Sequence, residues 1–116
     1  MGTFTHPITL IAPSGTETLE ALVDTGSTFT SIPVPLLERL AVRPQRTVRL
    51  RLANGQVHEC SLGEVVAEMD GVRATIICVF GDPESPAVIG AHTLEAFLLA
   101  ADPVERRLVP VEGWWV

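Results

Sequence analysis

The sequence predicts an all-β fold, a closed or partly closed barrel with one short helix near its C-terminal end. Three observations predict this. The apolar residues fall mainly in short runs rich in β-branched side chains. Two connections, Asn54-Gly55 and Asp70-Gly71, are dipeptides that favour tight hairpin turns. Only the segment after Gly90 has a marked helical spacing of apolar residues. We expect one domain over residues 1–116, a length that can bury its own core.

The first third of the chain predicts a hairpin, a short strand and a helical turn. Residues 8–11 and 16–23 are typical of strands and are joined by a turn sequence at residues 13–15. Residues 29–32 predict another short strand. Residues 35–40 can form a helical turn, because proline is tolerated at a first helical position. The predicted buried face of that turn carries Leu36, Leu37 and Leu40.

The middle of the chain predicts a meander of two hairpins. Residues 47–52 and 56–62 flank Asn54-Gly55, where both residues tolerate a positive φ. Residues 63–69 and 72–80 flank Asp70-Gly71 in the same way.

The last part predicts the helix and a final strand. After a loop at residues 81–86, residues 91–99 read as a helix with an apolar stripe for the core. The stripe consists of Leu94, Phe97 and Leu98. Residues 107–111 predict the final strand, and residues 113–116 form an unusually apolar end.

Charge and composition exclude several classes of function. The net charge is -6, and all eight basic residues are arginines scattered without a phosphate-binding stripe, which argues against nucleic acid. Arg49 and Arg51 alternate with apolar residues, as on the solvated face of a strand. No apolar run approaches the roughly 18 residues of a membrane span. Residues 1–7 show no leader, so we expect a cytoplasmic protein without a membrane partner.

Cysteines and histidines suggest no metal or disulfide chemistry. Cys60 and Cys78 lie in separate strand-like runs and are most simply reduced residues of the core. No histidines and cysteines stand at the spacing of a zinc site. We therefore expect no metal and no cofactor.

The most informative motif is a carboxylate at the end of an apolar run. Asp24 follows apolar residues 21–23 and precedes Thr25, Gly26 and Ser27. A carboxylate among apolar residues is costly unless it is hydrogen-bonded or shares a proton, and active sites are where such costs are tolerated. Asp70, Asp82 and Asp102 instead stand beside glycine or proline in ordinary turn sequences.

A second apolar run ends in glycine at Val88-Ile89-Gly90, before the helix-like segment. Together with the Asp24 motif it resembles the retropepsin-like aspartic protease family, in particular its small single-domain bacterial members. The resemblance covers residues 9–111. It implies that Val88, Ile89 and Gly90 lie alongside the Asp24 loop.

Peptide hydrolysis by carboxylates needs one ionised and one protonated acid side by side. This chain supplies only one acid in such a motif, Asp24. We therefore expect a homodimer that brings one Asp24 from each copy together at the two-fold axis. The resemblance implies that Thr25 links the two loops and that Gly26 allows close approach. It also implies that Ser27 donates a hydrogen bond to the carboxylate.

The resemblance further implies a substrate-binding cover. The hairpin tipped by Ala53, Asn54 and Gly55 matches the family's flap, which closes over a peptide or protein substrate. The implied substrate-binding residues also include Ser27, Val88, Ile89 and Gly90.

The chain departs from the retroviral members at one pair of positions. Ala91 and Thr28 stand where those members carry an ion pair that supports the dimer. Trp114 and Trp115 are candidates either for a replacement contact or for packing onto their own core.

Two alternatives to a protease stay open. One is a retropepsin-like dimerisation or peptide-binding module without turnover, because a motif shows only that the chemistry is possible. The other is a small monomeric β-barrel interaction domain with Asp24 in a hairpin turn.

Overall fold

Strands and hairpins make up most of the structure, a computed structural model that describes residues 4–116. The first three residues, part of the segment considered for targeting signals, lie outside the described range. The strands are β1 (Thr5–Ala12), β2 (Gly15–Val23), β3 (Thr30–Pro33), β4 (Arg46–Arg51), β5 (Val57–Met69), β6 (Val72–Gly81), β7 (Val88–Ile89), β8 (Leu99–Asp102) and β9 (Arg107–Pro110). The helices are α1 (Val34–Arg39) and α2 (Ala91–Ala96). Neither helix is long and apolar enough to cross a membrane.

Seven strands form one sheet in the order β1-β2-β7-β3-β6-β5-β4. β1 also pairs with β5 over three residues, which brings the two sides of the sheet together into a barrel. Closure is uneven, because the two-residue strand β7 is the link between β2 and β3. β8 and β9 form a separate two-stranded sheet. The predicted all-β barrel with a short helix near its end is confirmed.

The predicted hairpin turns are present. Asp70 and Gly71 both have positive φ, at 52° and 82°, and connect β5 to β6. Gly55 has a φ of 89° in the turn between β4 and β5. Both residues of Asp70-Gly71 therefore adopt the conformation that favours this dipeptide, whereas at Asn54-Gly55 only the glycine does, within a longer loop closed by the Leu52 N–H to Gln56 carbonyl bond. Side chains from the strands and both helices fill the barrel interior, and Leu36, Leu37 and Leu40 of the α1 region are buried as predicted.

The middle of the chain has one strand fewer than predicted. Residues 57–69 run as a single strand through Gly63, instead of breaking there into two. A Cβ at position 63 would lie 2.9 Å from the carbonyl oxygen of Arg43 and 2.9 Å from the Phe80 ring. This glycine therefore accommodates a close neighbour, whereas the sequence analysis interpreted it as a strand end.

The helix near the C-terminus is shorter than predicted. α2 ends at Ala96, and Leu98 adopts a φ of 55° that redirects the chain into β8. Leu94 and Phe97 are buried as predicted, whereas Leu98 is 50% exposed. Placing Leu98 in the core was wrong, because helical spacing no longer applies once the chain leaves the helix. Strand β8 was not predicted.

Candidate active site

The Asp24 loop begins where β2 ends and lies against the short strand β7. Leu22 and Val23 pair in parallel with Val88 and Ile89, which places Val88 and Ile89 alongside the Asp24 loop as the family resemblance implied. The Asp24 N–H donates to the Ile89 carbonyl oxygen at 3.0 Å. The loop then turns tightly, since the Ser27 N–H donates to the Asp24 carbonyl oxygen at 3.1 Å. The backbone on both sides of the Asp24 side chain is therefore fixed.

The carboxylate of Asp24 is half-buried and is held by its own loop. Its Oδ1 accepts a hydrogen bond from the Gly26 N–H at 2.9 Å. Thr25 and Gly26 beside it are exposed. The Ser27 hydroxyl donates to the Phe29 carbonyl oxygen at 2.9 Å, so it is not directed to the carboxylate as expected. The Ser27 side chain stabilises the turn of the loop instead.

The start of α2 fastens the far side of this loop. The N–H groups of Ala91 and His92 donate to the carbonyl oxygens of Ser27 and Thr28 at 2.7 and 2.9 Å. The first N–H groups of a helix lack partners within the helix, so these carbonyls satisfy them. Residues 91 and 92 are thus joined to residues 27 and 28 through the backbone, although Ala91 and Thr28 cannot form an ion pair.

This contact requires glycine at position 90. A Cβ there would overlap the Phe29 carbonyl oxygen and would lie 2.7 Å from the Ser27 carbonyl oxygen. Both atoms belong to the backbone of the Asp24 loop, which cannot move aside easily. The absence of a side chain at Gly90 is therefore what allows the loop and α2 to meet.

Two buried threonines that the sequence analysis did not identify complete the support. The hydroxyls of Thr30 and Thr93 hydrogen-bond at 2.5 Å, and Thr30 Oγ1 also accepts from the Gly90 N–H at 3.2 Å. Both threonines are fully buried. Threonine is common in strands and occurs in short helices, so no feature of the sequence predicts that Thr30 and Thr93 pair in the core.

A cavity of about 370 Å³ opens beside the Asp24 loop. The hairpin that was predicted to be a flap contributes its strand ends, Leu50, Arg51 and Leu52, to the wall. Its tip residues Ala53, Asn54 and Gly55 are exposed and do not line the cavity. The other lining residues are Gly26, Ser27, Thr28, Phe29, Ser31, Cys60 and Val79.

A second cavity of about 730 Å³ continues from the first. The two share the wall residues Ser31, Leu52, Cys60 and Val79, so they form one groove running from the Asp24 loop along β5 and β6. We call these two cavities together the loop groove. Its walls combine apolar side chains with hydroxyl groups near the loop and with the charged side chains of Arg51, Glu59 and Asp82.

Like the hairpin tip, the expected substrate-binding residues Val88, Ile89 and Gly90 do not line the loop groove, so Ser27 is the one member of the expected set that does. Ile89 is fully buried in the core, and Val88 is half-buried between β2 and β3. Their contribution is to hold the Asp24 loop through backbone pairing. A strand of two residues is too short for side-chain alternation to predict which side chain faces the groove. The neighbouring strands determine which side of β7 is covered.

Cys78 is not an activated nucleophile. Both thiols are free, and burial raises the pKa of the Cys78 thiol to about 11 even though a backbone hydrogen bond at Gly63 opposes the shift. Cys78 therefore stays protonated at neutral pH. Within residues 4–116, no three His, Cys, Asp or Glu side chains group closely enough to hold a metal ion.

Comparison with known proteins agrees with this geometry. A model of the aspartyl protease family matches residues 10–93. The sequence matches none of the curated proteins significantly.

Several solved structures share the fold. The Simian Foamy Virus (mac) protease has a TM-score of 0.58 at 16% identity, over 78% of this chain and 91% of the viral chain. The retroviral protease-like domain of Ddi1 from Leishmania major has a TM-score of 0.58 at 14% identity, over 95% and 89% of the two chains. A foamy viral protease-reverse transcriptase has a TM-score of 0.60 at 15% identity, covering 94% of this chain and 12% of that larger one.

Identities this low establish the fold, and the family model adds the match in sequence. That match covers well over half of the chain and includes both the Asp24 loop and Val88-Ile89-Gly90. The chain therefore belongs to the aspartyl protease family and has the retropepsin-like fold.

Proposed function

We propose that this protein is an aspartic endopeptidase that works as a homodimer, with one Asp24 from each copy in a shared active site. The observation that carries the proposal is the Asp24 loop itself. Its carboxylate is fixed by the Gly26 N–H, while Thr25 and Gly26 beside it are exposed. A second copy of the loop can approach from that side, because only small side chains stand in the way.

Two carboxylates brought close together share one proton, since both cannot ionise at short range. The ionised Asp24 takes a proton from a water molecule, whose oxygen adds to the carbonyl carbon of the scissile peptide bond. The protonated Asp24 of the other copy donates its proton to the carbonyl oxygen. When the C–N bond then breaks, the first Asp24 gives the proton it took from water to the leaving nitrogen. The second Asp24 takes a proton back from a hydroxyl of the tetrahedral intermediate, which leaves as the new carboxylic acid, and the pair again holds one shared proton.

The loop groove is the proposed site for peptide or protein substrates. It starts at Gly26 and Ser27 and is partly walled by Leu50 and Leu52 of the hairpin. An extended peptide lying there has its backbone next to the Asp24 loop and its side chains in the apolar parts of the groove. We expect the exposed tip at Ala53, Asn54 and Gly55 to close over the bound peptide as a flap.

Cleavage of a diverse peptide mixture at about pH 4 to 7, the range in which paired carboxylates share a proton, tests the proposal. We expect cleavage by the wild type and a loss of about 100-fold or more for Asp24→Asn, because an amide cannot act as acid or base. Specific activity should fall on dilution as dimers dissociate. The matched control is Asp102→Asn, since Asp102 only accepts turn hydrogen bonds from Val104 and Glu105.

Three results would contradict the proposal. Full cleavage by Asp24→Asn would place the chemistry elsewhere. A folded wild type that sediments as a dimer but cleaves nothing would favour a peptide-binding module without turnover. A protein that stays monomeric at every concentration would exclude the shared site.

A further inference from the structure

The open surfaces of the described chain include an apolar one and a basic one. The apolar surface is the C-terminal end, where Trp114 is 96% and Trp115 is 99% exposed. Of the two roles considered for these tryptophans from the sequence, packing onto their own core is therefore wrong. The basic surface is the outer edge of β4, where backbone geometry and charge together define what can bind.

Strand β4 has a hydrogen-bonded neighbour on one side only. It stands at the end of the sheet order and pairs with β5 over its whole length, Arg46–Arg51. β1, which closes the barrel, pairs with β5 at residues 66–68 and does not reach β4. The other side of β4 is therefore an open strand edge within residues 4–116. We call it the β4 edge.

The alternation of an antiparallel pair identifies the backbone groups that face this edge. The Leu52 N–H donates across the hairpin at 2.7 Å. Because hydrogen-bonded and non-hydrogen-bonded positions alternate, every second residue from there back to Arg46 also bonds towards β5. The residues between them are Thr47, Arg49 and Arg51. Their N–H and carbonyl groups point to the β4 edge and are available to another strand.

Positive charge is concentrated on this part of the chain. Residues 43–51 contain four of the eight arginines and no acidic residue, a formal charge of +4 in a protein whose net charge is -6. Arg46, Arg49 and Arg51 are all exposed. The side chains of Arg46 and Arg49 make no hydrogen bond or ion pair within the described chain, although Glu59 stands opposite Arg49 on β5. An acidic ligand is thus attracted to β4 and repelled by the rest of the chain.

The same charge disfavours one alternative occupant, a second copy of β4. Two such strands paired edge to edge would bring arginine next to arginine, and like charges on neighbouring strands destabilise their pairing. An extended acidic segment instead places carboxylates next to Arg49 and Arg51, whose side chains share one face of β4. The Arg51 guanidinium donates to the Gly55 carbonyl oxygen and retains further N–H groups for a carboxylate.

We propose that the β4 edge is a docking strand for acidic, extended segments of protein substrates. The inference deepens the proposed function and rests on it for the statement that the docked protein is a substrate. Leu50, Arg51 and Leu52 line the loop groove. A segment paired with β4 lies about 4.8 Å from that strand. The adjoining segment of the same substrate is therefore held next to the groove and the Asp24 loop.

Fluorescence anisotropy of labelled peptides tests the docking without depending on cleavage. The measurement uses the Asp24→Asn protein, so that the peptide stays intact. The probe is a short fluorescein-labelled peptide of alternating glutamate and threonine, and matched peptides carry glutamine or lysine in place of glutamate. We expect the glutamate peptide to bind at least about tenfold more tightly than the glutamine peptide. The lysine peptide should not bind.

A further probe distinguishes strand pairing from simple attraction between charges. It is the glutamate peptide with a methyl group on every backbone nitrogen, which keeps the charge but removes the hydrogen-bond donors. Loss of two or three backbone bonds should raise the Kd by at least about tenfold. An equal Kd for the methylated and unmethylated peptides would overturn the docking strand in favour of a charged surface without strand pairing.

The variant Arg49→Glu locates the docking site. It replaces an opposite charge beside the bound carboxylates with a like charge, and should raise the Kd of the glutamate peptide about two- to thirtyfold. Arg107→Glu is the matched control, because Arg107 is an exposed strand residue of β9 and the net charge changes by the same amount. It should leave the Kd nearly unchanged. Circular dichroism confirms that both variants are folded, and an equal loss of binding in the two would overturn docking at β4.

The substrate role is tested with two peptides that share one cleaved segment and differ in a flanking stretch of glutamate or glutamine. We expect the wild type to favour the glutamate flank by about tenfold in kcat/KM, the ratio expected for binding. Arg49→Glu should lose most of this preference, whereas Arg107→Glu should retain it. The ratio of the two substrates is independent of any effect on the shared cleaved segment.

The outcomes separate this inference from the proposed function. Cleavage of both peptides without a preference overturns the docking strand and leaves the proposed activity standing. Tight binding of the glutamate peptide with no cleavage of any peptide supports the docking and contradicts the proposed activity. Displacement of the probe by a single-stranded oligonucleotide at a lower concentration than by unlabelled glutamate peptide overturns the inference in favour of nucleic acid.

Discussion

The Asp24 loop and the hairpin at residues 52–56 lie near the same groove but are held in opposite ways. The backbone of Asp24, Ser27 and Thr28 bonds to β7 and α2, which come from more than sixty residues later in the chain. The hairpin is held by its own residues. Its bonds are Leu52 N–H to the Gln56 carbonyl at 2.7 Å, Gly55 N–H to the Leu52 carbonyl at 2.9 Å, and the Arg51 guanidinium to the Gly55 carbonyl at 2.7 Å.

This difference matches what the two regions are proposed to do. Carboxylates that share a proton must keep a fixed separation, which requires a loop supported by the core. A cover over a substrate has to open and close, which requires few bonds to the rest of the protein. The variants below test whether the Asp24 loop is rigid and the hairpin at residues 52–56 is mobile.

The largest expected loss of stability comes from a change beside the Asp24 loop. Gly90→Ala places a Cβ against the carbonyl oxygens of Phe29 and Ser27, and we expect it to lower the free energy of unfolding by about 3 kcal/mol, the upper range for overpacking. Urea denaturation measures this. Activity should fall as well, because the Asp24 loop must shift to make room.

Gly55→Ala in the hairpin is the comparison for Gly90→Ala. A Cβ at position 55 meets nothing within 4 Å, but the φ of 89° is unfavourable for alanine. We expect a cost of about 1 kcal/mol from the backbone conformation alone. An equal loss of stability in the two variants would contradict the contrast between the regions.

A smaller effect is expected from the buried threonine pair. Thr30→Val keeps the shape of the side chain but leaves the Gly90 N–H and the Thr93 hydroxyl without their partner. Such buried groups cost about 1–3 kcal/mol, again measurable by urea denaturation. Thr9→Val is the matched control, since the Thr9 and Thr18 hydroxyls form a similar bond of 2.8 Å at the surface. A similar loss in both variants would argue against a special role for the buried pair.

The smallest change in stability is expected at Arg51. Arg51→Ala removes an exposed side chain and should change the free energy of unfolding by less than about 0.5 kcal/mol. It also removes the bond to Gly55 that orients the hairpin tip. One hydrogen bond of about 0.5–1.5 kcal/mol corresponds to a roughly two- to tenfold loss of kcat/KM.

Arg49→Ala is the control for Arg51→Ala. Arg49 stands two residues earlier on the same exposed face of β4 and does not line the loop groove. Its removal changes the net charge by the same amount. If both variants lose activity equally, the effect of Arg51 is one of charge and not of hairpin position.

Local signals predicted local structure well. Both predicted hairpin turns are present, with positive φ at Asp70, Gly71 and Gly55 but not at Asn54. The errors came where a residue serves a distant neighbour. Residue 63 was predicted to begin a new strand, but Gly63 lies inside β5 and makes room for the Phe80 ring. Leu98 fitted the helical stripe, but the chain turns at that residue.

The sequence by itself determined the all-β class and the Asp24 motif, because both depend on short patterns with few physical solutions. The position of Val88 and Ile89 beside the Asp24 loop was implied only by the resemblance to the family. The tertiary structure decided what surrounds them. Burial of Thr30 with Thr93, the exposure of Trp114 and the walls of the loop groove depend on contacts between residues far apart in the chain. No local pattern records such contacts, because packing against distant strands sets which face of each residue is covered.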